Sequence, residues 1–378
     1  MRQTKLPVVF MRGGTSKGLF FHESDLPEDV ESRERFLLSA FGSPDPNGRQ
    51  LNGMGGGISS LSKAIIVRSS VRSDADVDFL HGQVAIDRPM VDWSANCGNL
   101  SSAVGPFALD TALVKPDADT ETVVRLHNLN TGALIHARIP LVNGVFNPEG
   151  RFAMPGVSGT GARIALEYLR PGAPGSGHLF PSGSITNRVT LPDGIFTVTA
   201  SYATLPVAWV RAEEVGLDAT LPPDKIDADS RAMALLEAIR REAAVCMGLA
   251  ATPEQAKLAS PKVGIVARPR DYQALDGSLI RSGDANILVR MISMGRAHKA
   301  VPLTAAMCLA ATCLVPNSIP SEACELPTAG PEVRVATPSG VMTVGAMLVP
   351  DSDPPVVDRT IVYATARRLM EGWVYGTL

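Results

Sequence analysis

Two apolar segments constrain the fold of this chain more than any other feature. The first is SSAVGPFALDTAL at residues 101–113, and the second is PLTAAMCLAATCLVP at residues 302–316. A helix that is apolar on almost every side has to be buried. Short β-like runs separated by Gly, Asn and Pro turns surround both segments and are suited to cover them. The sequence therefore predicts an α+β fold in which curved, mostly antiparallel sheets wrap around central helices.

The two apolar segments also belong to an internal repeat. Around Cys97, and again around Gly295 about 200 residues later, a strand leads into a polar loop of small residues and then into an apolar helix. We expect two similar halves whose helix N-termini face one cleft, and two positive dipole ends favour a substrate with several carboxylates. Because Pro fits only the first turn of a helix, Pro302 places the start of the second helix near Ala300.

Composition excludes several functional classes. The 378 residues suit two domains, and 45% hydrophobic with 19% charged residues is typical of a soluble globular protein. The net charge is −3 and Lys and Arg form no dense cluster, so neither nucleic acid nor membrane is an expected partner. The five cysteines are widely spaced without a CxxC pair, which favours neither disulfides nor zinc. With no signal-like N-terminus, a cytoplasmic location is expected.

Cys97 is the strongest candidate for chemistry. It lies in the polar sequence NCGN at residues 96–99, directly before the first apolar helix. The free N–H groups and positive dipole end of such a helix favour a thiolate and any nearby carboxylate. A buried, inert cysteine is the alternative, but an inert core thiol does not need turn-forming neighbours.

Two further stretches suggest anion binding and proton transfer. RGGTSKG at residues 12–18 combines glycines, hydroxyls and cations in one turn, which suits a carboxylate better than a phosphate because the P-loop spacing is missing. Lys63 follows a glycine-rich loop at the mouth of an apolar strand, where partial burial favours its neutral, basic form. A solvated hairpin turn and an exposed, charged lysine are the respective alternatives.

His298 is a candidate ligand-binding residue near the expected start of the second helix. It could donate a hydrogen bond to a carboxylate there, although a lone histidine is more often structural.

Four ordered motifs together resemble the 2-methylaconitate isomerase family (PrpF-like), which includes methylitaconate and 4-oxalomesaconate isomerases or tautomerases. They are MRGGTSKG at 11–18, NGMGGGISSLSK at 52–63, NCGN at 96–99 and SMGRAHKA at 293–300. The resemblance covers nearly the whole chain and implies a diaminopimelate-epimerase-like fold of two pseudo-symmetric halves. Residues 364–375 resemble a closing strand that returns to the first half. We therefore expect one domain at 1–183 plus 360–378 and another at 184–359.

The resemblance implies that Lys63 and Cys97 are the catalytic pair. In the family these positions face opposite sides of the substrate and exchange protons across an allylic system, which requires no metal and no cofactor. The residues expected to hold the substrate carboxylates are Gly13, Gly14, Thr15, Ser16, Lys17, Gly98, Asn99, Ser293, Gly295 and His298.

Two departures from related patterns refine this expectation. Asn52 stands where the family commonly has Asp, which weakens any charge-based role there. The loop before the second helix has no cysteine, so the two-thiol racemisation of the diaminopimelate and proline epimerases is not expected. A lysine paired with one cysteine favours double-bond migration or cis–trans isomerisation.

The substrate class has one preferred member and open alternatives. VDWSANCGN at residues 91–99 resembles the methylaconitate members more than the oxalomesaconate ones. A 4-oxalomesaconate tautomerase or isomerase of aromatic-acid degradation needs the same pair, and a noncatalytic polycarboxylate binder would keep only the carboxylate loops. The expected binding partner is a small polycarboxylate substrate. A homodimer is one option for the assembly of the chain.

Overall fold

Short strands and polar turns build two compact units in the computed structural model, which describes residues 3–326 and 332–378. The first unit comprises Met1–Tyr168 and Tyr363–Leu378, and the second comprises Leu169–Val362. The sequence placed the first boundary at 183/184, after the Pro- and Gly-rich segment. That segment instead lies within the second unit, where the Arg170 N–H donates to the Asp358 carbonyl and the Ala173 N–H donates to the His178 carbonyl.

Most of the regular structure in each unit is strand. The described strands of the first unit are β1 (Thr4–Gly13), β2 (Ser16–His22), β3 (Lys63–Ser69), β4 (Val77–Val84), β5 (Val91–Asp92), β6 (Glu121–Asn128), β7 (Leu134–Val142), β8 (Val145–Phe146), β9 (Phe152–Ala153), β10 (Thr160–Gly161), β11 (Ile164–Leu169) and the closing strand β23 (Ala366–Gly376). Its described α-helices are α1 (Val30–Phe41) and α2 (Gly98–Asp110).

The second unit is built in the same way. Its described strands are β12 (Asn187–Leu191), β13 (Gly194–Ala203), β14 (Leu205–Arg211), β15 (Lys262–Ala267), β16 (Tyr272–Gln273), β17 (Leu279–Ile280), β18 (Ile287–Ser293), β19 (Arg296–Ala297), β20 (Glu332–Thr337), β21 (Gly340–Leu348) and β22 (Val357–Ala364). Its described α-helices are α3 (Pro223–Ala228), α4 (Ser230–Cys246), α5 (Leu303–Cys313) and α6 (Ile319–Ala323).

The order of the principal strands is repeated between the units. In the first unit the order is β23-β1-β2-β3-β4-β6-β7-β11, and only β2–β3 and β4–β6 are parallel pairs. In the second it is β12-β13-β14-β15-β18-β20-β21-β22, with parallel pairs at the same two places, β14–β15 and β18–β20. The predicted α+β fold of two similar, mostly antiparallel halves is confirmed, including the closing strand β23.

A buried helix lies against each sheet, as the apolar segments predict. In α2 every residue from Leu100 to Ala108 is buried, and in α5 every residue from Ala305 to Cys313 is buried. The ring centroid of Phe107 in α2 lies 5.6 Å from that of Phe20 in β2. Burial of apolar surface on all sides of each helix is the main source of its stability.

The expected start of the second central helix is wrong by about one turn. Pro302 is the N-cap of α5, with ψ 136°, and the helix begins at Leu303 rather than near Ala300. The proline ring disfavours helical dihedrals at the preceding residue, Val301, which favours a helix start after Pro302.

Helix α1 covers the other face of the first sheet. Its N-cap Asp29 accepts a hydrogen bond from the Ser32 N–H at 2.8 Å, and Gly42 ends the helix in a left-handed conformation, with φ 72°. Phe36 and Leu37 pack in one buried cluster with Leu19 of β2 and with β3 residues. The sheet of the first unit therefore has an α1 face and an α2 face.

Candidate active site

The β1–β2 hairpin packs its turn against the first turn of α2. Gly13 pairs with Ser16 across the hairpin, and Gly14 at the tip has φ 52°. A Cβ atom at Gly14 would lie 2.2 Å from Asn99 Oδ1, so only glycine fits there. The Thr15 N–H donates to the same Asn99 oxygen at 3.3 Å. The hairpin tip and the start of α2 therefore form one polar group of backbone and side-chain atoms.

Cys97 occupies the N-cap of α2. Its carbonyl accepts the Ser101 N–H at 3.0 Å, and Gly98 is the first helical residue. The Cys97 Sγ lies 4.0 Å from Ser16 Oγ, which brings the thiol to the hairpin. A half-buried thiol at a helix N-terminus beside hydroxyl and backbone N–H groups has the surroundings expected for a reactive cysteine.

Lys63 is buried, with 8% of its surface exposed, and is the first residue of β3. Its ammonium donates to Gln83 Oε1 on the neighbouring strand β4. The Gln83 amide nitrogen in turn donates to the carbonyls of Ser62 at 3.0 Å and Ser59 at 3.2 Å. These bonds fix the amide so that its oxygen faces the lysine.

Lys63 and Cys97 belong to the same side of the first sheet. The next β3 residue, Ala64, packs in the cluster on the α1 face, and side chains alternate along a strand, so Lys63 projects toward α2. Lys63 pairs with Gly18 of β2, where an added Cβ would lie 2.2 Å from the Lys63 carbonyl oxygen and 3.1 Å from Leu100 in α2. The structure thus places the backbone of Lys63 next to the first turn of α2.

The Lys17 ammonium does not join this group. Lys17 follows Ser16 in β2, so its side chain projects to the opposite face, where Nζ lies 5.5 Å from the ring centroid of Phe10. The structure therefore does not bring the Lys17 ammonium together with Cys97.

Two ionisable side chains near the pair have strongly shifted pKa values. Burial lowers the pKa of His81 to about 4, and the charge of Lys63 adds to this effect against the opposing hydrogen bond to the Ala95 carbonyl. Burial raises the pKa of Tyr168 to about 12, with a smaller contribution from Cys97. At neutral pH both side chains are uncharged, so they add no counter-charge beside Lys63.

The three second-unit residues expected to bind substrate lie at the β18–β19 turn and just beyond it. Ser293 ends β18, Gly295 has φ 72° in the turn, and His298 follows β19 rather than starting α5. His298 Nδ1 accepts the Ala300 N–H at 3.2 Å, so that nitrogen has a structural partner.

Lys262 was missed by the sequence reasoning. It is the first residue of β15, the strand that corresponds to β3, and its Nζ donates to Ser293 Oγ at 2.6 Å across the β15–β18 pair. Burial lowers the pKa of Lys262. The signal was present, because SKAIIV at 62–67 and PKVGIV at 261–266 place a lysine before similar apolar strands.

Gln83 and His81 were also missed, since both lie in a stretch that was interpreted only as short strands.

Among residues 3–326 and 332–378, no group of three or more His, Cys, Asp or Glu side chains is placed to hold a metal ion. Over the same residues, no helix is long and apolar enough to cross a membrane.

Several known isomerases are similar to this chain. The chain matches the PrpF protein family over residues 3–377. It is 39% identical to the 2-methyl-aconitate isomerase of Cupriavidus necator, over 98% of this chain and 97% of the relative. It is 36% identical to the (4E)-oxalomesaconate Delta-isomerase of Novosphingobium sp. (strain KA1), over 98% and 97%. The crystal structure of a methylitaconate-delta-isomerase, 34% identical, superposes with a TM-score of 0.91 and covers 100% of this chain and 97% of that one.

The fold and these relatives define the class of protein as an isomerase. The resemblance seen in the four sequence motifs is confirmed, and the chain belongs to the PrpF family.

Proposed function

We propose that this isomerase moves or isomerises a C=C bond in an unsaturated di- or tricarboxylic acid of the 2-methylaconitate type, using Lys63 and Cys97 for proton transfer. One observation carries the proposal. The buried Lys63 ammonium is held by the uncharged Gln83 amide, and no carboxylate of the described residues lies within ion-pair distance of it. An amine on the α2 side of the sheet and a thiol at the N-cap of α2 are the two kinds of group that proton transfer in such an isomerisation requires.

The chemistry requires one base and one acid. Lys63 takes a proton from a carbon acidified by the conjugated carboxylate, and the electron pair of the broken C–H bond forms a dienolate. Cys97 donates a proton either to the carbon two atoms away, which moves the double bond, or to the original carbon after rotation, and its thiol becomes a thiolate. The proton taken up by Lys63 then passes through solvent to the thiolate, which resets both groups for the next turnover. The reaction is an isomerisation without oxidation or reduction and consumes no second substrate, so we propose that no cofactor takes part.

The dienolate and the substrate carboxylates need positive or N–H-rich surroundings. The first N–H groups of α2, at Gly98 and Asn99, and the Ser16 hydroxyl are suited to this role. Gly13, Gly14 and Thr15 shape the hairpin tip beside them, where the Gly14 N–H already donates to the Thr365 carbonyl and the Thr15 N–H to Asn99 Oδ1. In the second unit we assign carboxylate binding to Lys262 and Ser293, with Gly295 and His298 nearby in sequence. An ammonium has three N–H donors, so the Lys262 ammonium can bind an anion as well as Ser293.

The test is proton NMR of the purified protein in D2O with 2-methylaconitate, trans-aconitate, methylitaconate and 4-oxalomesaconate. We expect deuterium at an allylic position, or a new alkene isomer, from the methylaconitate-type acids. Lys63→Met should abolish exchange, whereas Lys115→Met, which alters an exposed lysine of the same unit, should not.

Each outcome of this experiment has a definite meaning. Turnover of 4-oxalomesaconate alone would replace the proposed substrate with the oxo-acid alternative. Tight binding of these acids without any exchange would identify a noncatalytic binder. Wild-type exchange in Lys63→Met would remove the mechanism.

A further inference from the structure

The loop that carries Cys97 is fastened to strand β4 by a buried histidine. His81 is 3% exposed and lies on the same face of β4 as Gln83, two residues away. Its ring Nδ1 lies 2.7 Å from the carbonyl oxygen of Ala95, two residues before Cys97. A carbonyl can only accept a hydrogen bond, so Nδ1 carries the proton and donates it.

Asn130 fastens the same loop at a second point. Its Nδ2 donates to the Trp93 carbonyl at 2.8 Å and to the His81 carbonyl at 2.9 Å. Its Oδ1 accepts the His81 N–H at 2.9 Å and the Asn128 Nδ2 at 2.9 Å. The carbonyls of Trp93 and Ala95 are thus both held by groups anchored on the sheet.

The position of the loop sets the position of the thiol. Only Asn96 separates the held Ala95 carbonyl from Cys97, and Cys97 is itself the N-cap of α2. A shift of the loop would therefore move Sγ relative to both the helix N-terminus and Ser16. Near-attack geometry is lost with displacements of about 1 Å.

His81 is not suited to carrying a proton itself. Burial lowers its pKa to about 4, so it is neutral under ordinary conditions and a poor acceptor for a lysine proton. Its Nε2 is buried and has no hydrogen-bond partner among the described residues. The ring therefore contributes through its Nδ1–H donor.

We propose that His81 and Asn130 are positioning residues that hold the Trp93–Ala95 carbonyls and so set Cys97 for the reaction. This inference rests on the proposed function only in giving Cys97 a catalytic role. The fastening of the loop is independent of it and can be measured separately.

The variants distinguish the effect of the His81 Nδ1–H donor from the effect of the shape of its ring. His81→Asn keeps an N–H donor near the position of Nδ1, His81→Gln places its amide nearer the position of Nε2, and His81→Phe keeps the shape without a donor. Asn130→Asp loses the donor to the Trp93 carbonyl and keeps the acceptor. His127→Phe is the control, because His127 lies on the neighbouring strand β6 and contacts Asp78 rather than the loop.

Two readouts decide the proposal. We expect amide hydrogen exchange of a peptide covering residues 93–97 to be at least tenfold faster in His81→Phe, His81→Gln and Asn130→Asp, and within twofold of wild type in His81→Asn and His127→Phe. In the isomerase assay the first three should lose at least tenfold in kcat with KM within threefold, and His81→Asn should recover at least half of the wild-type kcat.

Unchanged loop exchange in all His81 and Asn130 variants would overturn the proposal, and so would faster exchange with wild-type kcat. If His81→Phe does not fold, the contrast between His81→Asn and His81→Gln gives the same decision. A wild-type protein without isomerase activity would defeat the proposed function and the catalytic role assigned to this loop, while the exchange data would still report on the fastening.

Discussion

The buried histidine makes the stability of the first unit depend on pH. The pKa of His81 is lowered from 6.5 to about 4 in the folded protein, chiefly by burial. Between these values the unfolded chain binds a proton that the folded chain does not. The stabilising contribution is therefore complete above pH 6.5, falls progressively as the pH drops from 6.5 toward 4, and is lost below 4.

The size of the effect follows from the shift. A difference of about 2.5 pKa units at about 1.4 kcal/mol per unit corresponds to about 3 to 4 kcal/mol of unfolding free energy in full. At pH 4.5 about 2.5 kcal/mol of it has already been lost relative to pH 7.5. His81 is 3% exposed, so solvent screening does not reduce this value appreciably.

The assay compares wild type with His81→Phe, which has no titrating group at this position. Samples equilibrated in urea at pH values from 7.5 to 4.5 are pulse-labelled by hydrogen exchange at one common pH, and a β4 peptide reports the folded fraction of the first unit. The lost bond to Ala95 lowers the stability of the variant by about 1 kcal/mol at every pH. Between pH 7.5 and 4.5 the wild type should lose about 2.5 kcal/mol more than the variant does.

The effect of carboxylate titration on stability cancels when wild type is compared with His81→Phe. Two carboxyl groups of the same unit also have lowered pKa values. Hydrogen bonds to Arg125 lower the pKa of Asp76, and hydrogen bonds to Ser70, His127 and Arg68 lower that of Asp78. Both groups titrate in the wild type and in the variant. Parallel stability curves for wild type and variant would refute the reasoning, because they would show that His81 titrates normally in the folded protein.

Three further perturbations test the site. Cys97→Ser should lower kcat roughly 100-fold, because a hydroxyl is a poorer acid in the same place; undiminished turnover in the steady-state assay would make Cys97 a packing residue. Gly18→Ala places a Cβ 2.2 Å from the Lys63 carbonyl oxygen and should cost about 2 to 3 kcal/mol in urea denaturation, whereas Gly283→Ala, with open space around its Cβ, should be neutral. Lys262→Met should weaken calorimetric binding of tricarballylate about tenfold, or roughly 1.4 kcal/mol, while Lys257→Met on an exposed loop should not; equal affinities would remove Lys262 from the carboxylate-binding group.

Much of the fold was predictable because its strongest signals are local. The two apolar helices and the apolar strand that begins at Lys63 follow from periodicity and from the placement of Gly and Pro. The first residue of α5 was harder to predict from the sequence. It depends on the N-cap geometry of Pro302, and helix boundaries are set by a few dihedral angles that composition does not reveal.

The candidate site was predictable only where chemistry and motif coincide. Lys63, Cys97 and the hairpin glycines carry distinctive residue types in distinctive turns. The position of the Lys17 side chain, away from Cys97, was not predictable, because the side of a strand on which a residue projects depends on register, which a short loop motif does not specify. Gln83 and His81 act through cross-strand and loop contacts with residues far away in sequence.

The two units repeat a lysine and a central helix but differ at the N-cap of that helix. Both units place a lysine at the start of the equivalent strand, β3 or β15, and each lysine donates to a polar side chain on the next strand. The units differ at the helix that follows. Cys97 is the N-cap of α2, whereas Pro302, with no polar side chain, is the N-cap of α5. The repeated architecture thus places a lysine and a helix N-terminus in both units but an N-cap cysteine only in the first, as the proposed pairing of one lysine with one cysteine requires.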